Sequence, residues 1–266
     1  MIITHDFHLH TKLSLCAKPE ATLDLYLRKA KECGLKKIAI TDHLWDHAID
    51  GWPQWYGVQH FDRVKSLKPA IDAHNASGSD IKVLFGAEAE YSYSNRRPAI
   101  SPAAAEQLDM LLVPNSHTHI TMPKDFYEPH EKHMQYMIDA FWDIVNSDVA
   151  KYITAIPHPF MAVGCPYGSA TLIENTPDDV FKRCFDAAAE KGIGLELNPN
   201  YIRKQTLAEA FENPIFRMLR IGKECGCKFT VGSDSHNEAD YEHFDKIYVI
   251  SEILELKEDD FHPLAR

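Results

Sequence analysis

Seven apolar, strand-like runs alternate with helical segments along this sequence, and that alternation is the strongest constraint on its fold. The runs lie at residues 2–9, 36–41, 81–87, 109–115, 152–157, 193–198 and 228–233. Apolar residues recur at helical spacing in the segments 22–33, 60–76, 130–147, 177–191 and 213–225. Repeated strand–helix units favour a parallel sheet, and seven of them predict an α/β barrel that is closed or nearly closed.

The whole chain is predicted to form one domain. No linker, low-complexity tract or break in composition interrupts its 266 residues, so the barrel domain is expected to span residues 1–266. Two long loops are predicted at 44–59 and 91–102. The region after residue 245 fits either a final strand and helix or a single docking helix.

Composition excludes several classes of protein. No run of eighteen apolar residues is present, so no transmembrane helix is expected, and the first residues lack the pattern of a secretory signal. The six cysteines are scattered, which favours reduced thiols and a cytoplasmic location. A net charge of −11 makes a long nucleic acid an unfavourable partner, because phosphate contacts need a basic surface.

Imidazoles and carboxylates cluster where the predicted strands end. Eight such side chains follow six of the strands: His8, His10, His43, Glu88, His117, His158, Asp234 and His236. In a parallel barrel all strand C-termini open on one face, so these side chains should meet at one mouth. Eight ligands exceed the four of a single zinc but suit two or three metal ions that share a carboxylate.

Six motifs that contain these residues carry a family resemblance. They are D-F-H-L-H-T (6–11), T-D-H (41–43), G-A-E (86–88), N-S-H (115–117), P-H-P (157–159) and G-S-D-S-H (232–236). In this order they resemble the PHP (polymerase and histidinol phosphatase) family. The resemblance implies a distorted (β/α)7 TIM-like barrel that holds two or three divalent metal ions (zinc, manganese or iron) and hydrolyses phosphate esters.

The resemblance also implies how the ligands are shared. One metal would take His8, His10, Glu88 and Asp234. A second would take Glu88, His117 and His158. A third would take His43 and His236 with a ligand from the loop after the first strand, where Cys16 stands in place of the usual histidine. Thiolates suit zinc and suit manganese poorly, so the third site either holds zinc, binds weakly or stays empty.

A narrower resemblance lies in the stretch ELNPNYIRK (196–204). Histidinol-phosphate phosphatases of the PHP type tend to carry Asn and then Arg-Lys at this spacing, which implies that Asn198, Arg203 and Lys204 bind substrate. Arg203 is the favoured phosphate ligand, because a guanidinium offers a planar fork to two phosphate oxygens.

The resulting hypothesis is metal-dependent hydrolysis of a small-molecule phosphate monoester by a metal-bridging hydroxide, with L-histidinol phosphate as the first candidate substrate. His119, His47 and a metal-bound water compete as the acid that protonates the leaving group. The alternatives are a phosphodiesterase or nuclease on nucleotides or short oligonucleotides, a catalytically silent metal-binding module that serves a partner, and, more weakly, a non-phosphate amidohydrolase.

Four aromatic residues in the 44–59 loop also have two interpretations. They are Trp45, Trp52, Trp55 and Tyr56. Such residues either staple a loop to the core or form an apolar wall on which a substrate ring stacks.

Overall fold

A nearly closed barrel of parallel strands organises the chain in the computed structural model, which describes residues 3–266. Its seven principal strands are β1 (His5–Leu9), β2 (Lys37–Ile40), β4 (Lys82–Ala89), β7 (Met110–Leu112), β8 (Ala155–Ile156), β9 (Gly194–Leu197) and β10 (Phe229–Val231). They neighbour one another in that order, all parallel. The prediction of a distorted seven-stranded barrel is confirmed.

The first and last strands meet through a short seam. Leu9 and Ser235 form a parallel bridge, the His10 N–H donates to the Ser235 carbonyl at 3.0 Å, and the Asp234 N–H donates to the His8 carbonyl at 2.9 Å. Three further strands have two residues each. β3 (His43–Leu44) pairs with β4, and β5 (Tyr91–Ser92) pairs with β6 (Arg97–Pro98).

Helices connect and cover the strands. They are α1 (Leu23–Glu32), α2 (Phe61–Lys65), α3 (Lys68–Ala76), α4 (Pro102–Ala105), α5 (Thr118–Thr121), α6 (His130–Val145), α7 (Ser169–Glu174), α8 (Asp178–Glu190), α9 (Leu207–Phe211), α10 (Pro214–Glu224) and α11 (Lys246–Ile253). Short 3-10 turns lie at Lys124–Phe126, Ala150–Tyr152, Pro199–Ile202, Glu238–His243, Glu258–Asp260 and Pro263–Ala265. None of these helices is long and apolar enough to cross a membrane.

Local sequence signals account for some helix boundaries. Thr22 caps α1 by accepting a hydrogen bond from the Leu25 N–H. The single helix predicted over 60–76 is wrong, because the structure breaks it into α2 and α3 around Ser66. Pro69 explains the break: without an N–H it fits the first turn of α3 but not a helix interior. After residue 245 the chain forms the helix α11.

The core lies between the sheet and its helices. Strand β4 is buried at every position after Lys82, which is the pattern of a strand covered on both faces. A smaller apolar cluster of Trp45, Tyr56 and Ala99 sits beneath the 44–59 loop.

Candidate metal centre

The eight predicted ligands come together at the C-terminal ends of the strands. Their ligand atoms form four overlapping groups, each within 4.8 Å: His8/His10/Glu88, His43/Glu88/His117, His8/His158/Asp234 and His10/His43/His236. These groups contain all eight predicted residues and no other residue of the described range 3–266. Four of the eight residues are buried and the other four are partly buried, so the cluster is a formed site rather than a surface coincidence.

The Glu88 carboxylate lies at the centre of the cluster. Five imidazole nitrogens approach it at 2.9–3.6 Å, and they belong to His8, His10, His43, His117 and His158. Asp234 approaches from the seam, with its Oδ1 atom 3.2 Å from His10 Nε2 and 3.5 Å from His8 Nε2.

These separations fit bound divalent cations. Two nitrogen ligands 2.0–2.1 Å from a tetrahedral zinc lie about 3.3 Å apart, close to the 2.9 Å between the Nε2 atoms of His8 and His10. Among the described residues, His43 Nδ1 and Glu88 Oε2 are buried and have no hydrogen-bond partner, although they are 2.9 Å apart. Buried polar atoms left unpaired are costly, and a shared cation would satisfy both.

The observed groups overlap with the implied sharing of ligands but do not reproduce it. His8, His10 and Glu88 group as implied, whereas His43 also groups with Glu88 and His158 also groups with Asp234. Cys16 belongs to none of the four groups, yet it lines the same pocket as His43 and His236. Desolvation would raise the pKa of the Cys16 thiol, but the neighbouring imidazoles of His236 and His43 lower it to about 6.

Three residues that the motifs did not single out hold the imidazoles in place. His8 Nδ1 lies 2.6 Å from Glu196, and His117 Nδ1 lies 2.8 Å from Glu90. His158 Nδ1 lies 2.7 Å from the Ser116 hydroxyl. In each case the hydrogen bond engages Nδ1, so the Nε2 atom faces Glu88, which is the arrangement that orients histidine ligands on metals.

The charges of the cluster are strongly coupled. Burial would raise the pKa of Glu88, but the imidazoles of His117, His8 and His43 outweigh it and hold the pKa well below its usual value. Burial disfavours a charged His8, yet the carboxylates of Glu196 and Glu88 raise its pKa well above the usual value. A cation that binds the nitrogen of a protonated imidazole in this cluster would have to displace its proton.

Two predicted ligands occupy left-handed backbone conformations. His158 has φ 29° and Asp234 has φ 55°. Residues other than glycine rarely adopt these angles, and such strain concentrates at functional sites. Both residues follow the end of a barrel strand, where the turn aims the side chain inward.

The predicted substrate-binding residues are not among the side chains that line the pocket beside the cluster. The Asn198 side chain is buried and bonds to Glu196 and the Asn200 N–H. Arg203 is half-buried with Nη1 3.5 Å from Asp240, and Lys204 is exposed. None of the three lines the pocket beside the cluster, so their contact with substrate stays a prediction.

That pocket has a volume of about 240 Å³. Its walls combine cluster residues with side chains from the surrounding loops: Leu15, Cys16, His43, Trp55, Tyr56, Gln59, His117, His119, Ile120, Val163, Asp234 and His236. The two histidines that are candidate acids differ in their position relative to this pocket. His119 lines the pocket, whereas His47 stacks on Trp52 and bonds to the Gly57 carbonyl at 2.8 Å.

The four loop aromatics divide between the two predicted roles. Trp45 and Tyr56 are buried and staple the loop, and Trp52 is half-buried against them. Trp55 is 57% exposed and lines the pocket.

Known proteins resemble this chain over most of its length. The family model of the PHP domain matches residues 6–200. A protein named probable phosphatase from Shewanella loihica is 30% identical over 93% of this chain and 84% of its own length. Another of that name, from Shewanella piezotolerans, is 29% identical over 94% of this chain and 85% of its own length.

A solved structure shares the fold. It is the histidinol phosphate phosphatase of Lactococcus lactis subsp. lactis in complex with zinc, L-histidinol and phosphate. The TM-score is 0.63 with 16% identity, and the match covers 95% of this chain and 94% of the other.

Proposed function

Because this chain belongs to the PHP domain family, we propose that it is a metal-dependent phosphatase that hydrolyses a small-molecule phosphate monoester. The observation that carries the proposal is the convergence of eight ligand side chains around Glu88. The relatives named probable phosphatase support the reaction class.

Two or three divalent cations, when bound, would supply an ionised water as nucleophile and neutralise the phosphate oxygens. His8, His10, Glu88 and Asp234 are suited to hold one cation, and Glu88 with His43 and His117 to hold another. A zinc ion suits the imidazole-rich donors and the nearby Cys16 thiol.

The residues around the cluster would fix its geometry. Glu196, Glu90 and Ser116 hold three histidine rings so that their Nε2 atoms converge. Ligand side chains that already have the required geometry need not move when phosphate binds. Such preorganisation is a major source of electrostatic catalysis.

Phosphate recognition would fall mainly to the cations. Among the residues that the structure describes, no lysine or arginine lines the pocket. Arg203 remains a candidate at the edge of the site, but to reach phosphate it would have to leave Asp240, which also accepts a hydrogen bond from the His236 N–H.

L-Histidinol phosphate is the first substrate to test. The structure of similar fold was solved with L-histidinol and phosphate, although identity of 16% extends only to the fold. We also propose a cytoplasmic location, which agrees with six free cysteines among the described residues.

The decisive experiment measures phosphate release from L-histidinol phosphate, nucleoside monophosphates and a phosphate bis-ester. The protein is assayed after loading with zinc or manganese and after complete chelation. We expect release from a monoester only when metal is present, and its loss in Glu88→Gln but not in the exposed control Glu174→Gln. Activity that survives chelation would overturn the mechanism, and a preference for the bis-ester would point to a phosphodiesterase instead.

A further inference from the structure

Exposed apolar side chains concentrate at the mouth of the metal centre. Residues 3–266 contain seven large apolar side chains that are exposed, and three of them line this one pocket. These are Leu15 at 50%, Trp55 at 57% and Val163 at 42% exposure, which together we name the apolar rim. Exposed apolar side chains that are scattered singly over a surface are normal, whereas a group of them around a polar site indicates a binding surface.

Trp55 is held in a fixed relation to the cluster. Its ring packs edge-to-face on Tyr56, with centroids 5.3 Å apart and planes at 77°. Tyr56 is buried, and its hydroxyl donates to Glu90, the carboxylate that also bonds to His117. The exposed indole of Trp55 is therefore connected through Tyr56 and Glu90 to the predicted metal ligand His117.

The other two members of the rim are held through their backbones. The Leu15 N–H donates to the buried side chain of Gln59 at 2.7 Å. The Val163 N–H donates to the Ser116 carbonyl at 3.0 Å, and the Val163 carbonyl accepts from the Thr118 hydroxyl at 2.8 Å. Three separate loops thus present apolar groups around one opening.

The pocket offers few partners to a polar leaving group. Apart from the cluster residues and Cys16, its polar lining side chains within the described range are Tyr56, Gln59 and His119. The Tyr56 hydroxyl donates to Glu90, and the Gln59 side-chain oxygen accepts from the Leu15 N–H. Hydroxyl or charged groups placed against the rim would lose water and find few partners, chiefly the His119 imidazole, to replace it, which disfavours their binding.

We infer that this site selects phosphate monoesters whose alcohol carries a flat, uncharged ring, and that Trp55 provides the face on which this ring packs. The inference rests on the proposed phosphatase function and adds the class of leaving group. A pocket of about 240 Å³ suits a small ester of this kind.

Steady-state kinetics on the metal-loaded protein tests the inference with two esters, 2-phenylethyl phosphate and glycerol 3-phosphate. Both release a primary alcohol, so their chemical steps are alike and they differ in the group that meets the rim. We expect kcat/KM to be about tenfold or more higher for the aromatic ester. In Trp55→Ala this preference should fall about tenfold, mainly through KM, and in Trp55→Phe most of it should remain.

Tyr248→Ala is the matched control, since it removes an exposed aromatic side chain that does not line the pocket, and it should leave the preference unchanged. Equal kcat/KM for the two esters, or a preference that survives Trp55→Ala, would overturn the inference while leaving the phosphatase in place. Failure to hydrolyse any monoester would instead overturn the proposed function, and the inference with it.

Discussion

The Nδ1 atom of His8 lies 2.6 Å from a carboxylate oxygen of Glu196, and both side chains are buried. Glu196 also accepts hydrogen bonds from the His158 N–H at 3.3 Å and from the Asn198 amide at 3.1 Å. One carboxylate thus connects two predicted ligands, His8 on β1 and His158 after β8, and the Asn198 amide that donates to it helps to fix its position.

Replacing Glu196 with glutamine is expected to weaken metal binding about 10- to 100-fold, because the amide can accept a hydrogen bond from His8 but lacks the charge that orients and polarises the imidazole. Titration calorimetry of the metal-free protein with zinc measures the change. The exposed Glu174→Gln serves as control. An unchanged zinc Kd in Glu196→Gln would contradict this role.

Gly232 is expected to be intolerant of a side chain. A Cβ atom there would lie 2.3 Å from Glu196 Oε2 and 2.5 Å from His8 Cβ. Gly232→Ala should lower the free energy of unfolding by about 1–3 kcal/mol, since the buried neighbours must shift. Urea denaturation measures the loss, and combining the change with Glu196→Ala should recover part of it, because the nearest contact is then gone. Full additivity of the two substitutions would argue against the clash.

His5 is expected to make the protein less stable in acid. Burial, followed by the charges of Lys37 and His262, lowers the pKa of His5 to about 3, and its Nε2 atom accepts the Val231 N–H at 3.0 Å. Below pH 6.5 the His5 side chain is protonated in the unfolded chain but stays neutral in the native state. The contribution of His5 to the free energy of unfolding is therefore fully present above pH 6.5 and is lost as pH falls toward 3.

Between pH 7 and pH 5 the loss attributable to His5 should be about 2 kcal/mol. His5→Gln keeps an acceptor for Val231 without titrating, so it should show a correspondingly flatter dependence in urea denaturation at the two pH values. His130→Gln, on the half-exposed first residue of α6, should follow the wild-type slope. Identical slopes for His5→Gln and the wild type would rule out His5 as the source.

His119 is expected to contribute little as a proton donor. Burial, followed by the charge of His117, lowers the pKa of His119 to about 4, so the ring is neutral at pH 7 and poorly suited to protonate an alkoxide. His119→Gln should reduce kcat by less than about tenfold, whereas loss of a general acid costs about 10²- to 10⁴-fold. A kcat drop in the latter range, with metal content unchanged, would restore His119 as the acid.

The barrel could be predicted because its signals are local. Each strand is a short apolar run, Thr22 and Gly34 bound a helix, and ligands at strand ends share one face by the geometry of parallel barrels. The motifs that contain the ligands are short and contiguous, so they were recognisable one by one.

The supporting carboxylates could not be predicted in the same way. Glu90 and Glu196 are partners of residues 27 and 188 positions away, and no local pattern encodes such pairs. Each does leave a weak signal: a charged residue in or directly after a strand that is otherwise apolar and buried, as in GLEL at 194–197. Such a residue needs a buried partner, and a neighbouring ligand histidine can provide one.

The seam between the first and last strands brings candidate ligands from distant parts of the sequence together. His8 lies on the first strand and His10 directly after it, whereas Asp234 and His236 lie more than two hundred residues later, next to the Leu9–Ser235 bridge. A cation that takes ligands from both segments could be fully coordinated only when the distal segment has docked against the first strand. A bound ion would hold these two segments together and oppose separation of the first and last strands.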